Sequence, residues 1–315
     1  MSAHIDDDTV EIPKPRGAEV DRPPLFSALV QADVAGLSHQ GYVRPNNEDH
    51  FLTCRFGRFL HTLQTNLEDP ATASRFEETG YGLVVADGMG GTAAGELASS
   101  RAIQTMINLV LNTPDWILLL QDEPFSNEVA RRATERYREV NDTLSQQAEA
   151  EPLLRGFGTT MIVATSLGTD LFLTHIGDSR AYIFRRGQLV RLTHDHTVAQ
   201  LMADAGDISQ QEVATHRLRH VLTGFLGDNA REVRPDVRKL RLEDGDLLLL
   251  CTDGLTDMVP DQELTTRLAS VAARNSSSEE TCQLLVQQAL DAGGRDNITV
   301  VVARYRFPTP AEQTI

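Results

Sequence analysis

Four short acidic motifs stand far apart in this chain, each at the edge of an apolar, strand-like run. They are Arg44 to Asp49 (RPNNED), Asp87 to Gly91 (DGMGG), Asp253-Gly254, and Arg295 to Asn297 (RDN). Asp87 follows YGLVVA, Asp253 follows LLLLCT and Asp296 precedes ITVVVA, so each acid is expected at the rim of a buried sheet. Only folding can bring such distant positions together. Gathered at one point, their carboxylates would hold hard divalent cations, leaving Arg44 to hold an anion. That combination suits hydrolysis of a phosphate ester.

The order of elements limits the fold further. Two strands, ALVQADVAGLSH and DHFLTCRF, flank the RPNNED loop, and YGLVVAD is a third. Helical spacing then runs over residues 93–111 and 127–148. TTMIVATSL, DLFLTHIG and RAYIFRRG read as strands, with Gly168-Thr169 and Arg186-Gly187 as turns. Residues 195–230 are polar and mixed, with a helical HTVAQLMADAG near their start. RPDVRKLRL and DLLLLCTD are strands, two helices follow near 261–273 and 278–291, and NITVVVARY closes the domain. This is not the strict alternation of a parallel doubly wound sheet. It fits a layered α+β domain with antiparallel sheets covered by helices. Residues 55–80 read as a polar surface insertion between the second and third strands. Residues 1–27, acidic and proline-bearing, read as a disordered tail, residues 28–306 as the catalytic domain, and 307–315 as a short C-terminal tail.

Composition excludes several function classes. The 315 residues carry 29 basic against 45 acidic side chains, a net charge of −16. No basic stripe marks a nucleic-acid interface, and the acidity disfavours a membrane surface. No apolar stretch reaches the length of a membrane span. Three cysteines, Cys54, Cys251 and Cys282, form neither a CxxC pair nor a disulfide framework. A soluble protein of the reducing cytoplasm is expected.

Each acid also has an ordinary explanation. Asp87-Gly88 and Asp253-Gly254 fit Asx-turns, Asp296 fits local backbone hydrogen bonding, and Glu48 and Asp49 fit solvated loop charges. Arg44 alone fits an exposed loop arginine. One assumption covers all of them: an oxygen-only donor set suits Mg2+ or Mn2+ rather than zinc or copper, and clustered carboxylates repel unless cations neutralise them.

With these residues in view, the chain resembles the metal-dependent protein Ser/Thr phosphatases of the PPM, or type-two-C, family. RPNNED, DGMGG, GTT (158–160), GDSR (177–180), DG (253–254) and RDN (295–297) occur in the family's order, across roughly residues 28–306. The resemblance implies a four-layer αββα sandwich of two antiparallel β-sheets flanked by helices, with the metals at the sheet edges. It implies two core Mg2+ or Mn2+ ions, and a third, weaker one in microbial members. Asp87 matches the bridging aspartate, Asp253 and Asp296 match ligands of one metal, and Glu48 and the Gly88 carbonyl match contacts of the other. Asp49 matches an acid that orients the attacking water, and Arg44 matches the substrate-phosphate clamp. Asp178 matches an acid that, with Asp253, supports the third ion. The implied activity is hydrolysis of phosphoserine and phosphothreonine in proteins by metal-activated water, without a phosphoenzyme. The implied partners are phosphorylated proteins and a cognate Ser/Thr kinase, with the enzyme a monomer. The 195–230 segment resembles the family's flap. Met89 departs from the histidine of many eukaryotic members, which leaves the general acid unidentified. A catalytically silent phosphatase-like binding or scaffold module is the alternative, and it would be marked by lost metal acids.

Two other patterns compete. Gly177-Asp178-Ser179 is similar to GDS-type serine esterases, but no histidine follows His220 to serve as base. His194-Asp195-His196 has weak metal-site spacing and no zinc-type partner set beside it in the sequence. It is expected to be a turn. Leu97, Ile103, Ile107 and Val110 recur at helical spacing as a core face.

Overall fold

The long apolar runs are strands buried on both faces. The computed structural model describes residues 30–64, 66, 75–90, 94–112, 123–154, 156–227 and 233–307. A first, five-stranded antiparallel sheet comprises β1 (Gln31–His39), β7 (Arg180–Arg185), β8 (Gln188–Arg191), β10 (Leu247–Cys251) and β11 (Ile298–Arg306), in the order β1-β11-β10-β7-β8. A second sheet is formed by β2 (Asp49–His61), β3 (Arg75–Met89), β5 (Met161–Leu167), β6 (Asp170–Ile176) and β9 (Asp236–Arg241), in the order β2-β3-β5-β6-β9, with β4 (Gly158–Thr159) beside β3.

The period of two assigns alternate residues to different layers. Leu248, Leu250, Val301 and Ala303 meet Leu83, Val85, Ile162 and Leu173 between the sheets. Their neighbours Leu247, Leu249, Val300 and Val302 pack outward against α5 (Asp253–Thr256), α6 (Asp261–Arg274) and α7 (Ser278–Asp291). Val84, Ala86, Met161 and Ile176 pack against α1 (Ala94–Asn112) and α2 (Glu123–Ala150). The result is the expected αββα sandwich. No described helix is long and apolar enough to cross a membrane, and the three cysteines are free thiols.

One expectation needs correction. Residues 55–61 and 75–80 are not a polar surface excursion but continue the second and third strands: β2 and β3 pair without a break from Asp49↔Asp87 to His61↔Arg75. Phe59, on this outer arm, is exposed. The Arg186-Gly187 turn is where it was expected, with both residues at positive φ, and it returns the chain into a short further strand, β8, beyond those expected from the sequence. The 195–230 segment contains two short helices, α3 (Val198–Asp204) and α4 (Gln210–Val213). Its base is pinned by backbone bonds from Val198 to Val221, Thr223 to His196, and both ways between Leu226 and Thr159. The 1–27 tail and residues 308–315 lie outside the described residues.

Candidate active site

Both sheets deliver acids to one rim. The register places Asp49, the first residue of β2, directly opposite Asp87 near the end of β3, so the two side chains share a face. Asp253 opens α5, just beyond β10, and Asp296 lies two residues before β11. Asp178 sits on the link that carries the chain from β6 in one sheet to β7 in the other. Glu48 immediately precedes β2.

The two Asp-Gly pairs have a steric origin. A Cβ at Gly88 would come 2.0 Å from the Gly95 carbonyl oxygen and 2.7 Å from that of Glu48. A Cβ at Gly254 would come 1.9 Å from the Asn297 carbonyl oxygen. Each glycine lets a second acid-bearing segment reach the rim. Asn297 then joins two motifs. Its Nδ2 donates to the carbonyls of Gln40 and Asn46, 2.8 Å each, and its Oδ1 accepts from the Glu48 N–H at 2.8 Å. The Glu48 carbonyl accepts from Ser99 Oγ at 2.6 Å and from the Gly88 N–H. The Asp87 carbonyl accepts from Thr159 Oγ1 and the Thr160 N–H. Thr252 Oγ1 donates to Asp49 Oδ2 at 2.9 Å. These supporting groups escape a search for charged motifs, although Asn297 does stand inside RDN.

The electrostatics show the convergence. Burial, followed by the charges of Asp49, Asp253, Asp178 and Asp296, pushes Asp87 well above the usual carboxylate range. Asp178 is likewise pushed well above it, by burial and by Asp253. Burial lifts Asp49 to about 7, against hydrogen bonds from Thr299 and Thr252. Glu48 is raised too, mainly by burial. Six carboxylates therefore crowd one place, and several can ionise only against strong opposition. Arg44, half-exposed, supplies one positive charge; its Nη2 donates to Asp296 Oδ2 at 2.5 Å. It is thus engaged rather than free.

One contributor lies beyond the expected set. His220, from the 195–230 segment, has Nδ1 3.6 Å from Asp253 Oδ2 and Nε2 3.3 Å from Asp257 Oδ2. The Asp253 carboxylate holds its pKa above the ordinary value despite partial burial. Ligand atoms of Asp178, His220 and Asp253 all lie within 4.8 Å of one another, a further group able to hold an ion. Met89 is opposite Gly158 in the β3–β4 pair.

An oxygen-rich set with excess negative charge fits hard divalent cations. Glu48, the Gly88 carbonyl, Asp87, Asp253 and Asp296 are the residues suited to hold them, with Asp178 and Asp253 beside a further position. The competing serine-esterase pattern fails. Ser179 is fully buried, and its hydroxyl is bonded to Thr160 Oγ1 at 2.8 Å. Asp195, of the HDH run, is a buried partner of Arg180 at 2.8 Å and also pairs with Arg191.

Comparison with known proteins agrees with the geometry. Residues 61–292 match the family model described as Protein phosphatase 2C. The Mycobacterium tuberculosis serine/threonine protein phosphatase PstP is 37% identical over 221 residues, 70% of this chain. The match spans only 40% of that relative's length. The serine/threonine phosphatase stp of Listeria welshimeri is 33% identical, over 70% of this chain and 82% of its own. A solved PstP catalytic domain in complex with two manganese ions superposes with a TM-score of 0.66 at 32% identity, covering 88% of this chain and 99% of that one. The chain belongs to the protein phosphatase 2C family.

Proposed function

We propose that the chain is a metal-dependent protein serine/threonine phosphatase, with residues 28–306 as its catalytic unit. The observation that carries this reading is the meeting of Glu48, Asp49, Asp87, Asp178, Asp253 and Asp296 beside one guanidinium. Mg2+ or Mn2+ bound there would lower the pKa of water and polarise phosphoryl oxygens. Arg44 would grip the phosphate through a planar fork matched to two of its oxygens. Asp49, held by a hydrogen bond from Thr252, would orient the attacking water and take its proton. Water adds to phosphorus, the P–O bond to the serine or threonine oxygen breaks, and the leaving oxygen takes a proton. His220, at the mouth of the site, is a donor for that proton which Met89 cannot replace.

The acidic chain is read as a cytoplasmic monomer that reverses the work of a Ser/Thr kinase in signalling. Every expected acid is present, which disfavours the silent scaffold. The test is release of inorganic phosphate from a phosphothreonine peptide in Mn2+. We expect turnover in the wild type and a loss beyond about 100-fold in Asp253→Asn, the scale of a lost transition-state contact. Tight peptide binding without turnover across metals would overturn the reading.

A further inference from the structure

The structure gives the HDH run a partner set that its sequence spacing lacks. His175 and Asp236 stand directly opposite each other on β6 and β9, so their side chains project from one face. Leu171 and Leu173 of the same strand pack between the sheets, and alternation directs His175 there also. His196 reaches the same spot from the base of the 195–230 segment. Its N–H donates to the Gly177 carbonyl at 2.8 Å, and its Nδ1 accepts from the Gly177 N–H at 3.2 Å. The His175 and His196 rings lie 4.8 Å apart, centre to centre. His196 Nε2 is 3.4 Å from Asp236 Oδ2.

We propose that His175, His196 and Asp236 form a second, nitrogen-containing site for a zinc-type divalent ion, where β6, β9 and the base of the 195–230 segment meet. Ligand atoms of all three lie within 4.8 Å of one another. Around zinc, at about 2.0–2.2 Å per ligand, they would close to roughly 3.3 Å, within reach of side-chain rotation. The decisive observation is His175. It is 1% exposed, and neither ring nitrogen has a hydrogen-bond partner. A buried polar ring left unpaired is destabilising unless something binds it.

The protonation states suit a cation. Burial pushes His175 down to about 3, so its imidazole is neutral and offers a lone pair. A hydrogen bond from His196 holds the Asp236 carboxyl below its usual range, so it is anionic. On loading, the ring proton of His196 moves from the nitrogen facing Asp236 to Nδ1, at the expense of the long Gly177 contact. Asp236 is partly exposed, which leaves the ion a route from solvent. Two imidazoles and one carboxylate favour zinc-type ions over Mg2+. This chemistry differs from that of the oxygen-rich rim.

Chelator-stripped protein returned to excess Mg2+, added to load the oxygen rim, is titrated with Zn2+ by calorimetry and with Co2+ by visible absorption. We expect one Zn2+ equivalent, and Co2+ bands of a low-coordinate nitrogen-containing site. Affinity should fall at least tenfold in His175→Leu and in Asp236→Asn. His175→Leu removes two unpaired nitrogens from an apolar layer, so the variant should fold at least as well as the wild type; Asp236→Asn provides an independent, partly exposed change. Absence of a zinc equivalent, or equal affinity in both variants, or loss of binding in Asp253→Asn instead, would overturn the proposal. The readout is binding, so it stands apart from whether the chain hydrolyses phosphate esters.

Discussion

Replacing Gly254 by alanine sets two physical effects against each other, and they differ in sign. Gly254 lies inside the short helix α5, where propensity alone favours alanine by about 1 kcal/mol. The new Cβ, however, would sit 1.9 Å from the Asn297 carbonyl oxygen and 2.9 Å from its carbon. Ordinary contact begins near 3.4 Å, so the 296–297 backbone must retreat by about 1.5 Å. That movement strains the three bonds of 2.8 Å by which the Asn297 amide holds Gln40, Asn46 and Glu48. It also carries Asp296 away from the other acids. Overpacking of this kind costs about 1–3 kcal/mol; set against the propensity gain of about 1 kcal/mol, a net destabilisation of up to about 2 kcal/mol remains. At roughly 2 °C per kcal/mol for a chain of this size, the melting temperature should fall by up to a few degrees. Displacement by 1 Å or more at a reacting centre costs about 100-fold in rate. Calorimetric melting, Mn2+ titration and phosphopeptide turnover would be measured together. A higher melting temperature with wild-type turnover would refute the steric account of the Asp-Gly pairs.

Arg44→Ala should lower kcat/KM for a phosphopeptide by about tenfold or more, mostly through KM, because a charge-assisted bond contributes about 1.5–3 kcal/mol; an unchanged KM would remove Arg44 from the phosphate. Asp195→Asn should destabilise the fold by about 3 kcal/mol in urea melts, since it leaves Arg180 and Arg191 facing each other beside a neutral amide; a loss under 1 kcal/mol would contradict this. In metal-stripped protein, the folded pKa of Asp49 lies near 7, above its unfolded value. The associated stability is therefore fully present below about pH 4 and is lost as the pH rises through 7. Asp87 and Asp178 act with the same sign. Saturating Mg2+ should flatten this decline in a melting series from pH 5 to 8, and a metal-free curve that instead rises with pH would contradict the acid cluster.

The sequence revealed the acids because strand ends announce themselves. Runs such as LLLLCT and ITVVVA are buried on both faces, and a carboxylate cannot follow them into the core. The layer order was legible for the same reason. What stayed hidden depends on register and packing. The outer β2–β3 arm is a matter of register: Phe56 and Phe59 alternate with glycine and arginine, and only the pairing partner shows them to be strand. Asn297 and Thr252 are uncharged, and their importance lies in bonds to residues some 200 to 250 positions away. His220 comes from an irregular segment without period. His175 reads as one polar residue in a strand until the β6–β9 register sets it against Asp236. The engagement of Arg44 with Asp296 was likewise invisible, because the two are separated by 252 positions.

Asp49 and Asp87 are mounted on one sheet, Asp253 and Asp296 on the other. How these pairs meet therefore depends on the apolar filling that separates the sheets, about 10 Å thick in such sandwiches. Leu250, Val301 and Ile162 act as spacers for chemistry they never touch. Trimming one of them should alter turnover before it unfolds the chain, so the deep interior of this sandwich sets the calibration of its rim.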